Sequence, residues 1–246
     1  SASEVAGILD TLVPTSDGSA VTGAMDVAVQ TQSITETRLA SLRGDGAGVA
    51  AGNAGGVSGW IQGYAQAANQ DDRNGVKGYD SNTFGGMIGA DSADIIPGAT
   101  VGISLNYGNT NVDSDNANTT STDIDTYGIN LYGSTDVMPD TFLSGQLGYA
   151  YNNINSDRHD VGAPGITASA DYSSDQYTAK AKLGRDIAAA EGMTLTPSVS
   201  AAYTHLAIDG YSETGSGANL SVGSEDVNAF DLGVAVDAAW RLKNAD

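Results

Sequence analysis

The chain contains no cysteine, only five prolines and only ten lysines and arginines among its 246 residues. Without cysteine it can form neither a disulfide framework nor a thiolate metal site. The formal net charge of −20 at pH 7 argues against a nucleic-acid partner and against binding to an anionic surface through basic residues. No run reaches the roughly 18 apolar residues of a transmembrane helix, but strands of about 10 residues cross bilayers with a weaker hydropathy signal.

The abundant residues are glycine, asparagine, aspartate, serine, threonine and tyrosine, which are typical of many β-strands joined by turns. The exception is 24–43, which has no glycine or proline and predicts a helix, with 21–43 as its full extent. Such a helix would span roughly 30 Å, close to the thickness of a hydrocarbon core. Its polar residues are spread around its circumference, which suits a narrow, polar-lined tube; a surface helix or an extended linker is the alternative. The residues expected to contact such a tube are Met25, Asp26, Gln30, Glu36, Arg38 and Arg43.

From residue 59 the hydrophobic pattern changes to a period of two and predicts eight antiparallel strands over 58–246. These strands, of about 12 to 16 residues, would be longer than the usual 5 to 6. One predicted face carries small residues and charges, as a water-filled lumen would, and the other is aliphatic with aromatic residues near the strand ends. The charges predicted to face the lumen are Lys180, Lys182, Asp231, Asp237 and Arg241. The predicted girdle aromatics are Trp60, Tyr107, Tyr151, Tyr203 and Trp240.

The connections between these strands alternate strictly between short and long. The short ones lie near 94–98, 135–140 and 188–192. The longer, acidic ones lie near 70–79, 113–122, 156–170 and 209–226. This order is typical of periplasmic turns and outer loops in bacterial outer-membrane barrels, and a soluble sandwich has no reason to keep it. The sequence therefore predicts an all-β fold, an antiparallel transmembrane β-barrel with its loops facing the cell exterior.

Several segments resemble one family, the translocator (β) domain of classical monomeric autotransporters, the type V secretion proteins. They are the helix end at 37–43, the opening strand at 59–63, the stretch 78–91 and the stretch 195–213. The resemblance implies a barrel of twelve strands, a helix lodged in the pore and a secreted passenger upstream. It also implies contact with outer-membrane lipid and lipopolysaccharide, insertion by the barrel-assembly machinery, and a monomer. On this basis 1–20 is a linker or the end of the passenger, and 44–57 is a flexible connection.

The eight predicted strands fall short of the family's twelve. Side chains fill the interior of an eight-stranded barrel, so a helix about 10 Å across cannot share that space. Either the helix lies outside a small closed barrel, or the natural chain has about four further strands. Unpaired edge strands at Trp60 and Trp240 would be prohibitive in lipid. A truncated translocator is therefore favoured, with an assembly intermediate held by a partner as another possibility.

No catalytic constellation is apparent, and we expect no enzyme activity, cofactor or metal site. His159 and His205 have no second histidine or cysteine at ligand spacing. The acidic loops could bind calcium but lack the spacing of a defined site, so they are interpreted as solvated. Some autotransporter families cut their helix at an Asn-Asn pair; 24–43 contains none, which predicts no self-cleavage there.

These features lead to two hypotheses. In the first, the barrel anchors an upstream passenger, helps carry it to the cell surface and is then plugged by the helix, with the lumenal lysines and acids pairing with Glu36, Asp26 or Arg38. In the second, the protein is a structural or adhesive outer-membrane barrel that secretes nothing and uses its acidic loops as a contact surface.

Overall fold

A computed structural model describes residues 19–43, 50–54, 56–72, 77–114 and 119–240. These residues form one helix, α1 (Ser19–Leu42), followed by strands to the end of the described chain. The strands are β1 (Ala50–Ala54), β2 (Val57–Gln70), β3 (Tyr79–Ile96), β4 (Ala99–Ser114), β5 (Thr120–Met138), β6 (Thr141–Arg158), β7 (Ala168–Arg185), β8 (Ile187–Ala190), β9 (Met193–Ile208), β10 (Tyr211–Ser212), β11 (Ser221–Val222) and β12 (Glu225–Trp240).

Eight of these strands are long, with 14 to 19 residues each, and pair antiparallel with their neighbours in the order β2-β3-β4-β5-β6-β7-β9-β12. The short β8 follows β7 after Asp186 and pairs with β9. The predicted helix and eight antiparallel strands are confirmed. The predicted flexible connection is wrong in part, because β1 lies within it and pairs with the start of β2. Residues 1–18, 44–49 and 241–246, which include Arg241, lie outside the described residues.

The sheet curves around α1. The helix contacts strands β3 to β6, and its side chains also reach β2 and β7. Six flat strands would be about 24 Å across, more than twice the width of a helix, so only a curved sheet can bring all six to it. Within the described ranges, β12 pairs with β9 alone, so these strands form an open half-barrel with α1 on its inner face. The alternative with a helix outside a small closed barrel is therefore wrong.

The two faces of the sheet are the reverse of those in a soluble protein. Outer-face residues such as Leu147 and Leu232 are 61% and 77% exposed, whereas inner-face Ser104 and Thr126 are almost fully buried. Each strand alternates between the two faces because successive side chains of a β-strand point in opposite directions. An apolar exposed surface around a polar interior is what a bilayer and a hydrated lumen require.

The connections distinguish the two ends of the sheet. Three hairpins close tightly at Pro97–Gly98, Pro139–Asp140 and 191–192, and we call this the turn end. Gly98, Asp140 and Gly192 have φ values of 79°, 58° and 76°, in the region that glycine and aspartate adopt most readily. The opposite end, the loop end, carries the connections at 71–78, 115–119, 159–167 and 209–224. The predicted alternation of short and long connections is confirmed.

The loop end has internal order of its own between β9 and β12. Strands β10 and β11 form a small hairpin that lies beside β7. Arg158 and Glu213 form a buried ion pair there, with Nη2 and Oε2 2.6 Å apart. Tyr172 and Tyr211 stack at 4.2 Å between ring centroids. The long connection is thus fixed against the sheet.

Candidate functional site: the seat of the helix

The helix runs along the inner face with its N-terminal end at the loop end. A Cβ atom added to Gly23 would lie 3.0 Å from the side chains of Val112 and Ile124, at the loop-end tips of β4 and β5. Arg43, directly after the helix, places its guanidinium 3.5 Å above the ring of Phe142, in the second residue of β6 at the turn end. The chain therefore enters α1 on the loop side and leaves it on the turn side.

A buried ion pair fixes the helix near the turn end. The Nε and Nη2 atoms of Arg38 donate hydrogen bonds to the two carboxylate oxygens of Asp91 on β3, at 2.8 and 2.9 Å. The hydroxyl of Tyr132 on β5 also donates to Asp91, at 3.0 Å, and accepts a hydrogen bond of 2.7 Å from the indole N–H of Trp60 on β2. Three wall strands thus orient one carboxylate toward one helix arginine.

Apolar packing shields this network from water. Leu39, one residue after Arg38, packs with Trp60, Met87 and Tyr132 in a buried cluster. Arg38 and Asp91 are only 6% and 3% exposed. In such surroundings a bidentate ion pair is strong, and either partner left alone would be costly.

A second set of charges acts on the other side of the helix. The Glu36 carboxylate lies 2.5 Å from the Nζ atom of Lys180 and 3.6 Å from that of Lys182, both on β7. Lys182 also reaches Asp237 of β12 at 3.4 Å. Since residues two apart on a helix are separated by about 200° of rotation, Glu36 and Arg38 are bound from nearly opposite walls.

Neutral contacts hold the middle of the helix. The amide nitrogen of Gln146 on β6 donates to the carbonyl oxygen of Gln32 at 3.1 Å. Gln30 bonds to Gln66 on β2 through their side-chain amides. Asp26, half-buried, faces the side chains of Gln66 and of Ser81 on β3.

Toward the wall of β4 to β6, the loop-end half of the helix presents small side chains whose hydroxyl groups bond within the helix. Ala24, Val27 and Ala28 are buried against the wall. The hydroxyl of Thr31 donates to the carbonyl oxygen of Ala28 at 2.9 Å, and that of Thr35 donates to Thr31 at 2.8 Å. Their hydrogen bonds therefore stay within the helix, and shape decides the contact with the sheet.

The wall that faces this half is polar but bonds mainly to itself. Asn130 donates to the side-chain oxygen of Asn106 at 3.0 Å. Thr126 donates to Asn152 at 2.7 Å, and Asn152 donates to Ser174 at 3.0 Å. These bonds link neighbouring strands along the inner face rather than joining the wall to the helix.

The structure brings some of the predicted lumen charges together and leaves others apart. Lys180 and Lys182 both lie against α1. Asp237 contacts Lys182. Asp231 lies opposite Ala202 of β9, which in turn lies opposite Lys180 of β7, and the Asp231 side chain is exposed. Of the predicted helix residues, Arg38 is buried, and the other five are partly exposed. They are Met25, Asp26, Gln30, Glu36 and Arg43.

Trp60 is not a girdle residue, and that prediction is wrong. It is 3% exposed on the inner face and lies flat against Gly89, where any Cβ atom would be 2.5 Å from the indole. Gly89 leaves room for the ring inside, and Tyr132 supplies a partner for its N–H group. The adjacent Ile61 takes the outer face and is 59% exposed.

The other predicted girdle residues lie on the outer face. Tyr107 and Tyr203 are partly exposed there, and their hydroxyls donate to Asp125 at 2.7 Å and to Asn228 at 2.6 Å. Tyr149 repeats this contact with Asp175 at 2.6 Å. Tyr151 and Trp240 are also exposed, at 41% and 64%. In each of the three hydrogen bonds, the tyrosine ring lies on the apolar outer face, and its hydroxyl bonds to a polar side chain nearer the loop end.

Sequence reasoning missed Asp91 and the role of Tyr132. Both are at positions where the period of two assigns the inner face. Tyr132 follows Thr126, Gly128 and Asn130 in that alternation, and this position in the alternation indicates that its side chain faces inward. The pairing itself joins residues 38 and 91, which no local pattern connects.

The acidic loops offer little in the part of the chain that the structure describes. No group of three or more histidine, cysteine or acidic residues there is placed to hold a metal ion. Asp72 contacts Lys77 at 2.8 Å and accepts from the backbone N–H of Gly78, and these bonds lower the pKa of Asp72 below its usual value. Nor does any helix of the described residues have the length and apolarity of a membrane-spanning one.

Comparisons with known proteins agree on one family. Residues 59–246 match the model for the autotransporter beta-domain. Outer membrane protein A of Rickettsia rickettsii is 29% identical over 176 residues, which cover 67% of this chain and 8% of that protein. Outer membrane protein B of the same organism is 27% identical over 188 residues, covering 72% and 11%. The chain thus spans about a tenth of the length of these relatives.

A solved structure shares the fold. The translocator domain of the autotransporter NalP from Neisseria meningitidis superposes with a TM-score of 0.70 at 16% identity. The match covers 91% of this chain and 75% of that one.

Proposed function

The chain belongs to the autotransporter beta-domain family and resides in the bacterial outer membrane, and we propose that it anchors an upstream passenger, helps carry it to the cell surface and is then closed by α1. The observation that carries this proposal is the way the inner face of the sheet binds the helix. A 24-residue segment too polar for lipid lies on the inner face and is paired with wall charges on two sides. A structural or adhesive barrel without secretion has no need of such a seat.

The direction of the helix supports the same function. Its N-terminal end is at the loop end, which in outer-membrane barrels faces the exterior. The N-terminal end of α1 therefore faces the outside, and its C-terminal end lies at the same end of the sheet as the start of β2. This is the arrangement left when a chain has passed outward through a pore.

We infer a non-enzymatic role. His159 contacts Thr167 at 3.2 Å, and His205 contacts Asn228 at 3.0 Å; both are at the loop-end part of the sheet. Asparagine is not a nucleophile, and among the described contacts no third group orients the His159 ring toward Thr167, as the base of a hydrolase requires. Outer-membrane lipid, lipopolysaccharide and the barrel-assembly machinery remain proposed partners, with a monomer as the proposed state.

Pore closure is tested by conductance of the full-length protein in planar bilayers. Replacing Lys180 and Lys182 together with alanine removes both cations beside Glu36, so we expect more frequent and larger openings. Lys77→Ala is the matched control, because it removes a lysine ion pair from an exposed loop. Unchanged conductance both in this variant and in Asp91→Ala, which removes the partner of Arg38, would contradict closure by α1.

Passenger display needs a separate test. Intact cells that produce the full-length protein are treated with a protease that cannot cross the outer membrane. We expect the region upstream of α1 to be digested while the barrel stays protected. An upstream region that is digested only after the cells are lysed would contradict the proposal and favour the adhesive barrel.

A further inference from the structure

A small cavity lies between the loop-end half of α1 and the wall. Its volume is about 10 Å³. The helix contributes Val27, Ala28 and Thr31, and the wall contributes polar side chains from β4, β5 and β7. Gly148 and Ala150 on β6 place almost no side chain on the inner face there, and the side chains of Asn130 and Thr178 close in over Gly148.

Gln176 on β7 lines this cavity and has an unmet requirement. The residue is 1% exposed, and within the described residues neither its amide nitrogen nor its amide oxygen has a hydrogen-bond partner. A glutamine amide offers two donors and one acceptor, and buried groups of this kind are nearly always bonded to protein or to ordered water. The amide of Gln176 therefore needs a ligand that no described side chain provides.

Two of the polar groups that line the cavity with Gln176 already donate elsewhere. Asn130 donates to Asn106, and Thr31 donates to the carbonyl of Ala28. Turning any of these groups toward Gln176 would break a bond in order to make one. Because an amide or hydroxyl oxygen can accept more than one hydrogen bond, a small molecule that both donates and accepts can bond beside these groups without breaking their bonds.

We propose that this cavity binds one ordered water molecule, held by the amide of Gln176 and shared with the Asn106–Asn130 pair. Polar lining and room for a single water centre are the two conditions that such a site requires. An apolar cavity would stay dry, and a metal cation would find no carboxylate among the lining residues. The site does not depend on passenger transport.

The water gives the loop-end half of the helix a different kind of contact from the turn-end half. At the turn end, side chains bind the helix directly. Beside Ala28 and Thr31, which offer no free donor, a water can bond to wall groups and fill the space against the helix methyl groups. The Gln176 amide is thereby satisfied without a direct bond to α1.

The test is a crystal structure of the full-length protein at a resolution that shows ordered water, with two variants. We expect a density peak about 2.6–3.2 Å from the Gln176 amide in the wild-type protein. In Gln176→Leu, which has no donor or acceptor, the peak should be lost. Gln146→Leu is the matched control: it removes a different inner-face glutamine, one bonded directly to the helix, and should retain the peak.

Two results would overturn the proposal. One is a wild-type cavity without the peak, whichever way the Gln176 amide points. The other is a peak that persists in Gln176→Leu, because the amide would then not hold the ligand. Folding of each variant is checked by its mobility on unheated gels, and Gln176→Met, unbranched and flexible, is prepared in parallel as a second apolar replacement.

Discussion

The two halves of the helix are seated by different physics. The turn-end half, from Glu36 to Arg43, is held by two sets of ion pairs and a guanidinium over an aromatic ring. The loop-end half, from Gly23 to Thr31, meets the wall through the neutral side-chain bond of Gln30 to Gln66 and otherwise fits by the shape of small side chains. Specific charges therefore set the position of the helix at one end, and close packing sets it at the other.

The difference follows from what each half must do in the proposed function. A buried charge pair stabilises one position of the helix and strongly destabilises every position in which a charge loses its partner. This property suits the end of the proposed movement of the chain through the pore. Methyl and glycine surfaces tolerate small displacements better, and the neutral bond between Gln30 and Gln66 costs less to break than a buried ion pair. The comparison predicts large, specific effects at the turn end and mainly steric effects at the loop end.

The largest expected effect is at the buried ion pair. Asp91→Ala leaves Arg38 buried without a partner, and we expect a loss of about 3–5 kcal/mol in the free energy of unfolding. The measurement is the urea midpoint of the full-length protein in vesicles.

Adding a second substitution separates pairing from packing at this site. Arg38→Met with Asp91→Leu removes both charges and should recover most of the loss, since apolar replacements of buried pairs are often neutral. If Asp91→Ala alone is as stable as wild type, the turn end is not held by this pair.

Next in size is overpacking at the loop end. Gly23→Leu forces a side chain into a site where even a Cβ atom would lie 3.0 Å from Val112 and Ile124, so we expect a loss of about 1–3 kcal/mol. Gly23→Ala is the control: its tight contact is offset by a gain of up to about 1 kcal/mol in helix propensity. A fully stable leucine variant would show that shape does not seat this end.

A smaller effect is expected at Glu36. Its pairs with Lys180 and Lys182 are partly exposed, with about a fifth of each side chain accessible, so Glu36→Gln should cost about 0.2–1 kcal/mol. Salt screens such pairs, and the difference from wild type should shrink as salt rises from 0.05 to about 0.5 M. A difference that grows with salt would contradict the electrostatic explanation.

The smallest effect should come from Thr31→Val. The hydroxyl of Thr31 bonds only to the helix carbonyl of Ala28, a bond that contributes little to helix stability. We expect unfolding free energies within about 0.5 kcal/mol of each other, because threonine and valine have similar helix propensities. A loss as large as that of Asp91→Ala would mean that Thr31 bonds to the wall, and the contrast between the two halves would fail.

The sequence predicted the elements well because their signals are local. The period of two, the turn residues at 97–98 and 139–140, and the glycine-free run at 24–43 each depend on neighbouring residues. Trp60 shows the limit of this reasoning: its apolar character favoured the lipid face, but its ring is placed by Gly89, which is 29 residues away. A hydrophobicity pattern along one strand contains no information about the space that a glycine leaves on the neighbouring strand.

By itself, then, the sequence determined the helix, the eight strands, the polar inner and apolar outer faces, and the alternation of turns and loops. Chain geometry and side-chain polarity within a few residues are sufficient for these features. Only the tertiary structure decided that the sheet curves around α1, that Arg38 meets Asp91 rather than another acid, and that Gln176 is left without a protein partner. Those outcomes depend on strand register and curvature, which bring together residues between 53 and about 150 positions apart.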